Sequence, residues 1–255
     1  MQIFLFIICL LCCFSNKIVA QNRTIHILVA LCDNENQGIV KVPVGIGNGQ
    51  DPKTNLYWGC GYGVKTYFLK HNKNWQLIKT IQNPDSVIYE RLIFKHKDSM
   101  VFIVADAYNG ANIRNTTIDL LDFAAGHRKQ TLNINQQTIN FGGGANLIAY
   151  IGHDGLMDFS LDSYPQKADT KKREVVILAC VSQFYFNDAI KQGGSYPLLW
   201  TSGLMCPEAY TISAVADAWT MNKTSQEIHL QAAQAYHKYQ KCGIKGAKNL
   251  LLTGW

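Results

Sequence analysis

Apolar runs of strand length alternate along this chain with stretches that have helical periodicity. Two of these runs organise the rest: one extends from Leu147 to His153, and the other from Val175 to Cys180. Both contain β-branched residues and stop at polar or turn-forming residues, which is typical of strands. Nearly continuous apolar runs suit strands that are covered on both faces, as in a parallel sheet between helices. The pattern therefore predicts two buried, neighbouring parallel strands.

The remaining pattern predicts further strands and helices in alternation. Predicted strands lie at 24–32, 75–81, 100–105, 196–201 and 249–253, and predicted helices at 55–71, 112–125, 207–219 and 224–241. Residues 87–94 fit neither period, and residues 131–141 have the loose alternation of a hairpin arm. This alternation predicts the α/β class, with a mainly parallel six-stranded sheet and helices on both faces.

The first twenty residues have the pattern of a signal peptide. Residues 3–14 form an apolar core that is too short to span a membrane, and Ile18-Val-Ala20 is an acceptable cleavage site before Gln21. We therefore divide the chain into a signal peptide, residues 1–20, and one domain, residues 21–255. The mature protein is expected to be secreted or periplasmic, with no stable membrane insertion.

Charge and motif spacing exclude several classes of function. The net charge of +6 is spread along the chain, and Lys171-Lys-Arg173 is the one dense basic run, so no nucleic-acid partner is expected. The long loop at 38–55 is rich in glycine, but its glycines lack the spacing of a phosphate-binding loop. Neither zinc-type nor EF-hand spacing occurs, so we expect no metal and no cofactor.

The cysteines raise a question about nucleophilic chemistry. Eight are present, and the five that follow the signal segment are Cys32, Cys60, Cys180, Cys206 and Cys242. Because five is an odd number, at least one thiol stays free unless it pairs between chains. A free cysteine at the end of a buried strand is either a nucleophile or a small buried apolar residue.

The predicted sheet brings a second reactive group beside Cys180. If the two organising strands are parallel neighbours, His153 and Cys180 emerge at the same carboxyl edge of the sheet. Open α/β sheets place their sites at this edge. A thiol beside an imidazole is a nucleophile with its own proton acceptor, which suggests a Cys/His hydrolase.

Two short motifs in the chain resemble those of a known family of hydrolases. The segments Tyr150-Ile-Gly-His153-Asp-Gly155 and Ile177-Leu-Ala-Cys180-Val-Ser182, with the polar segment 200–210 after them, resemble the caspase-like (clan CD) cysteine peptidases, and legumain- and gingipain-type chains most of all. The resemblance implies a caspase-like three-layer sandwich. It also implies an endopeptidase acting on protein or peptide substrates, with Cys180 as nucleophile and His153 as general acid/base.

Further roles follow from the resemblance and from the chemistry of acyl transfer. The backbone N–H groups of Gly155 and Cys180 would bind the oxyanion. Asn34 or Asp33, after the first strand, would orient the imidazole. The residues expected to line the first specificity pocket are Trp200, Ser202, Met205 and Tyr210.

Two other functions are compatible with the same residues. Cys60, near the start of a predicted helix, could be a papain-like nucleophile, although that fold places its cysteine helix first. Alternatively, the protein is a secreted binding or scaffolding protein on a decayed peptidase fold. Asp154, inserted between His153 and Gly155, and Leu178, where legumain-type chains carry an acid, favour that second reading.

Overall fold

The computed structural model describes residues 22–255, so the predicted signal peptide lies outside the described residues. The strands are β1 Arg23–Ala30, β2 Trp75–Asp85, β3 Ile88–His96, β4 Val101–Tyr108, β5 Lys129–Ile134, β6 Gln137–Gly142, β7 Leu147–Ile151, β8 Glu174–Leu178, β9 Tyr196–Thr201 and β10 Leu251–Leu252. The helices are α1 Val64–Lys70, α2 Ile113–Ala125, α3 Ser182–Gly193, α4 Ala209–Thr220, α5 Ser225–Gln240 and α6 Ile244–Leu250.

The main sheet is α/β in type and mainly parallel, but it has eight strands rather than the predicted six. The strand order is β10-β9-β8-β7-β1-β4-β3-β2, and the five strands from β9 to β4 are parallel. Strands β2 and β3 extend one side as an antiparallel hairpin, and β10 pairs antiparallel with β9. Strands β5 and β6 form a separate hairpin, so residues 131–141 supply parts of both arms rather than the single arm predicted.

Register within the parallel part places the two reactive residues at one edge. Strand β7 pairs with β8 so that Ile151 lies opposite Leu178. His153 and Cys180 each follow two residues after those partners, and both strands run in the same direction. The two side chains therefore emerge from the same carboxyl edge of the sheet, as predicted.

The sheet contributes residues to two separate apolar clusters. Ile27 and Val29 of β1 belong to a cluster that includes residues of α1, α4 and α5. The alternate residues Leu28 and Ala30 belong to a second cluster that includes residues of α2 and α3. Successive strand residues point in opposite directions, so a continuous apolar strand supplies both clusters.

The first predicted helix is shorter than expected. Residues 55–63 form turns, and only Val64–Lys70 is helical. A Cβ at Gly63 would lie 2.5 Å from the backbone of Trp58, so the close packing of this turn requires glycine there. The helix predicted at 224–241 is α5, and Thr224 and Glu227 form a capping box at its start. Within residues 22–255, no helix has the length and apolar character needed to cross a bilayer.

A buried ionic network joins three strands. Asp106 of β4 accepts two hydrogen bonds from Arg91 of β3, at 2.6 and 2.7 Å, and lies 3.0 Å from His26 of β1. Burial alone would raise the pKa of Asp106, but the hydrogen bonds and charges of His26 and Arg91 outweigh it and lower the pKa. The carboxylate is therefore ionised and paired inside the sheet.

Removing the charge of Asp106 should strongly destabilise the fold. We expect Asp106→Asn to lower the free energy of unfolding by about 3–5 kcal/mol, because Arg91 then keeps a buried charge without a counter-ion. Glu35→Ala is the control, since the Glu35–Lys41 pair is exposed and should contribute less than about 1 kcal/mol. Urea denaturation measures both changes, and equal effects of the two substitutions would contradict the prediction.

Candidate active site

His153 and Cys180 line one cleft at the carboxyl edge of the sheet. The cleft has a volume of about 460 Å³. Its walls come from the loop after β1, from the segment after β7 and from the segment after β9. The residues that line it are Gly38, Ile39, Val40, Val42, Leu56, Tyr57, His153, Met157, Cys180, Leu204, Met205, Cys206, Pro207 and Glu208.

A strained turn presents Cys180 to this cleft. Val181, which follows it, has φ 52° and ψ 29°, and helix α3 begins at the next residue. A β-branched residue is unfavourable in this left-handed region, so the surrounding contacts must hold the turn. Ser182 supplies two of them: its hydroxyl donates to Ile177 O at 2.8 Å, and its N–H donates to Thr201 Oγ1 at 3.1 Å.

The sulfur of Cys180 lies against the backbone of Met205. The N–H of Met205 donates to Sγ at 3.4 Å, and Sγ lies 3.7 Å from Met205 O. The side chain is half-buried, and the cysteine is not in a disulfide. The sulfur is thus held by the backbone of Met205, and Cys180 forms part of the lining of the cleft.

Asp158 is the hydrogen-bond partner of the His153 imidazole. Nε2 of His153 lies 2.8 Å from Oδ2 of Asp158, and the same carboxylate oxygen accepts the N–H of Gly38 at 2.9 Å. Tyr150 fixes the backbone, since its hydroxyl donates to His153 O at 2.6 Å. When Asp158 holds the proton on Nε2, Nδ1 is the nitrogen left to accept one.

Asp33 and Asn34 do not orient the imidazole, contrary to the prediction from the resemblance. The Asp33 carboxylate accepts the N–H groups of Glu35 and Asn36. The Asn34 side chain bonds the N–H and the C=O of Val42, at 2.9 and 2.8 Å. Their side chains therefore hold the loop after β1 in shape. The contact of this loop with Asp158, the partner of His153, is made by the backbone N–H of Gly38.

Asp154 is buried beneath the same turn. Its Oδ1 accepts the N–H of Leu156 at 2.9 Å, while its Oδ2 has no hydrogen-bond partner among the described residues. Burial raises the pKa of Asp154 to about 7. The following residue, Gly155, opens a 3-10 turn, and a Cβ there would lie 2.7 Å from Thr117 Oγ1. Glycine is therefore required at this position by packing.

Of the four predicted pocket residues, the structure places Met205 in the cleft wall. Trp200 packs in the cluster with α2 and α3, because alternation along β9 turns its side chain away. Ser202 donates to Asn249 O, and the buried Tyr210 donates to Glu208 Oε2. These three residues are not among those that line the cleft.

The structure adds residues that the sequence did not single out for chemistry. Asp158, Cys206 and Glu208 contact the site, and Glu208 supplies the one carboxyl group among the lining residues. Cys60 is absent from the lining, and it lies in the turns before α1 rather than at a helix start. No sequence motif identifies Asp158, because it contacts His153 only after the turn Gly155–Met157 brings the two side chains together.

Comparison of the chain with models of protein families, with curated proteins and with solved structures found no match. Within residues 22–255, no three His, Cys, Asp or Glu side chains cluster closely enough to hold a metal ion. Because a fold does not determine a function, the function has to be inferred from the cleft and its side chains.

The contact between Gly38 and Asp158 gives a direct test of this geometry. A Cβ on Gly38 would collide with Asp158 Oδ1, whereas a Cβ on Gly45 would meet no atom within 4 Å. We expect Gly38→Ala to displace Asp158 and break its hydrogen bond to His153. The free energy of unfolding should fall by no more than about 1–3 kcal/mol. Nitrogen NMR of the His153 imidazole measures the loss of this hydrogen bond, and Gly45→Ala is the control. An unchanged His153 signal in Gly38→Ala would contradict the geometry.

Proposed function

We propose that this protein is an exported cysteine endopeptidase that hydrolyses peptide bonds with Cys180 and His153. The observation that carries the proposal is the convergence of a strained, open thiol and a carboxylate-bound imidazole on one cleft. Neither residue alone would argue for catalysis. Together they supply a nucleophile, a proton acceptor and a group that orients the acceptor.

In the proposed reaction, His153 Nδ1 takes the thiol proton and Cys180 Sγ attacks the carbonyl carbon of the substrate. The sulfur–carbon bond forms, and the imidazolium then gives its proton to the leaving amine as the peptide bond breaks. Water hydrolyses the thioester in the second half of the reaction, with His153 again as the base. Asp158 holds the imidazole and stabilises its charged form throughout.

The oxyanion would be bound by backbone N–H groups. Gly155 opens a 3-10 turn beside His153, and the first N–H groups of such a turn have no partner within it. The N–H of Gly155 and the N–H of Cys180 together form the proposed oxyanion hole. The two apolar clusters support the further proposal of a caspase-like three-layer arrangement, with α1, α4 and α5 on one face and α2 and α3 on the other.

The alternatives account for less of the site. A papain-like mechanism through Cys60 could not use His153, since His153 lines a cleft to which Cys60 does not contribute. A binding protein on a decayed fold would need neither the hydrogen bond of Asp158 to His153 nor the left-handed Val181 beside the thiol. Strained backbone is costly and persists mainly where a function requires it.

Substitution of the thiol tests the proposal. We expect Cys180→Ala to abolish cleavage of a peptide library and labelling by a thiol-reactive peptide probe, because the covalent route is lost. His153→Ala should lose about as much activity, since the two residues act as a unit and their effects do not add. Cys206→Ala is the matched control, because Cys206 is a second thiol in the same cleft. Circular dichroism checks that each variant folds.

Two results would point elsewhere. Loss of activity in Cys60→Ala with retention in Cys180→Ala would replace this mechanism with the papain-like one. A wild-type protein that neither cleaves the library nor reacts with the probe would favour the binding protein.

Export is a separate part of the proposal. The apolar core at residues 3–14 and the small residue Ala20 support removal of a signal peptide before Gln21. Mass spectrometry of the protein from the culture medium or periplasm should find Gln21 at the amino terminus. A protein that retains Met1 and stays in the cytoplasm would contradict export.

A further inference from the structure

Asp154 is a buried ionisable group beside the site that the Cys180–His153 mechanism does not use. Asp154 follows His153 directly and is fully buried. One of its oxygens accepts a hydrogen bond from Leu156 N, and the other has no partner among residues 22–255. A buried carboxylate with an unpaired oxygen is costly, whereas a protonated carboxyl carries no charge and gains a donor.

Asp154 is coupled mechanically to the imidazole. It caps the 3-10 turn Gly155–Met157, and its own C=O accepts the N–H of Met157 at 3.1 Å. The residue after the turn is Asp158, whose carboxylate lies 2.8 Å from His153 Nε2. The chain therefore forms a closed loop from His153 through the cap and the turn back to His153. The cap and the carboxylate that binds the base are therefore the two ends of one short turn.

Among the described residues, no positive charge contributes to the pKa of Asp154. The charge that acts on it is that of Asp158, which has the same sign. Strand β7 contributes the buried phenol of Tyr150, and α2 contributes the hydroxyl of Thr117, which has no hydrogen-bond partner within residues 22–255. The loop after β1 approaches with the backbone N–H of Gly38, which is already bound to Asp158. Ionisation of Asp154 would thus place two like charges at the ends of one short turn.

We propose that Asp154 is a positioning residue whose uncharged carboxyl fixes the turn that holds Asp158 against His153, so that ionisation of Asp154 loosens the base and slows the reaction. This inference rests on the proposed function of the same site. It also gives a role to the insertion of Asp154 between His153 and Gly155.

The direction of the pH effect follows from burial, which raises the pKa of Asp154 to about 7 in the folded protein. An unperturbed aspartate has a pKa of about 3.9, so between these values the unfolded chain has lost a proton that the folded chain keeps. The stabilising contribution of the neutral form is therefore complete below about pH 4 and is lost as the pH rises towards 7. Above pH 7 the folded protein itself carries the charge, and the proposed loosening begins.

The pH profile of Asp154→Asn tests this role. Asparagine can still accept the N–H of Leu156 and supplies a permanent donor, but it cannot ionise. Each profile of kcat/KM is normalised to the same protein at pH 6. We expect the wild type to lose up to about tenfold in kcat/KM for each pH unit above 7, mainly through kcat, and Asp154→Asn to lack this loss. Asp154→Ala removes the cap and should be slow at every pH.

A second measurement does not depend on turnover. In the Cys180→Ala protein, NMR can follow the backbone amide of Leu156, which reports the Asp154 carboxyl, and that of Gly38, which reports Asp158. We expect both amides to shift with a common midpoint near pH 7. In Cys180→Ala with Asp154→Asn, this shared step should disappear.

The outcomes separate this inference from the proposed function. Superimposable normalised profiles of the wild type and Asp154→Asn, or a Leu156 amide that titrates near pH 4, would overturn the role of Asp154 while leaving the peptidase intact. If no peptide is cleaved, the amide titration still decides whether Asp154 controls the position of Asp158. A shared step near pH 7 would support that control, and independent midpoints would refute it.

Discussion

The parallel pairing of β7 with β8 is the constraint on which the site depends. Its register sets Ile151 opposite Leu178, so the segments that follow the two strands leave the sheet side by side and in the same direction. A shift of one residue would turn the following side chains to the opposite face of the sheet. Because both strands are buried on both faces, such a shift would also disrupt two apolar clusters. Core packing therefore determines where His153 and Cys180 emerge.

Charge is handled in opposite ways inside the sheet and at its edge. Asp106 lies inside the sheet and is fully compensated by Arg91 and His26, so the network joins strands without an unpaired group. Asp154, at the edge, has one oxygen without a partner, and Val181 beside the thiol has an unfavourable backbone conformation. Both features lie next to residues that line the cleft, Asp154 beside His153 and Val181 beside Cys180. Proteins accept such local costs chiefly where a geometry is needed for function.

The loop after β1 links the sheet to the cleft by a long-range contact. The hydrogen bond from Gly38 N to Asp158 joins residues that lie 120 positions apart. Asp33 and Asn34 hold this loop in shape, and Ile39, Val40 and Val42 supply an apolar wall of the cleft. The loop therefore acts both as a wall and as a support for the partner of the base, which is consistent with the functional role expected of a long loop in a compact domain.

Local pattern in the sequence determined the α/β class, the positions of the two reactive strands, the extended structure within residues 131–141 and the helix that begins after Thr224, because these depend on short-range periodicity and capping. Although it predicts a strand at 75–81, it did not reveal that β2 and β3 extend the sheet to eight strands, since residues 87–94 fit neither period and β3 pairs with β4 in an irregular register. Only the tertiary structure decided that Asp158 holds His153, because that pairing requires the turn at Gly155 and a loop from the far end of the chain. It also decided that Met205 faces the cleft while Trp200 does not, because strand direction and packing against α2 and α3 orient those side chains.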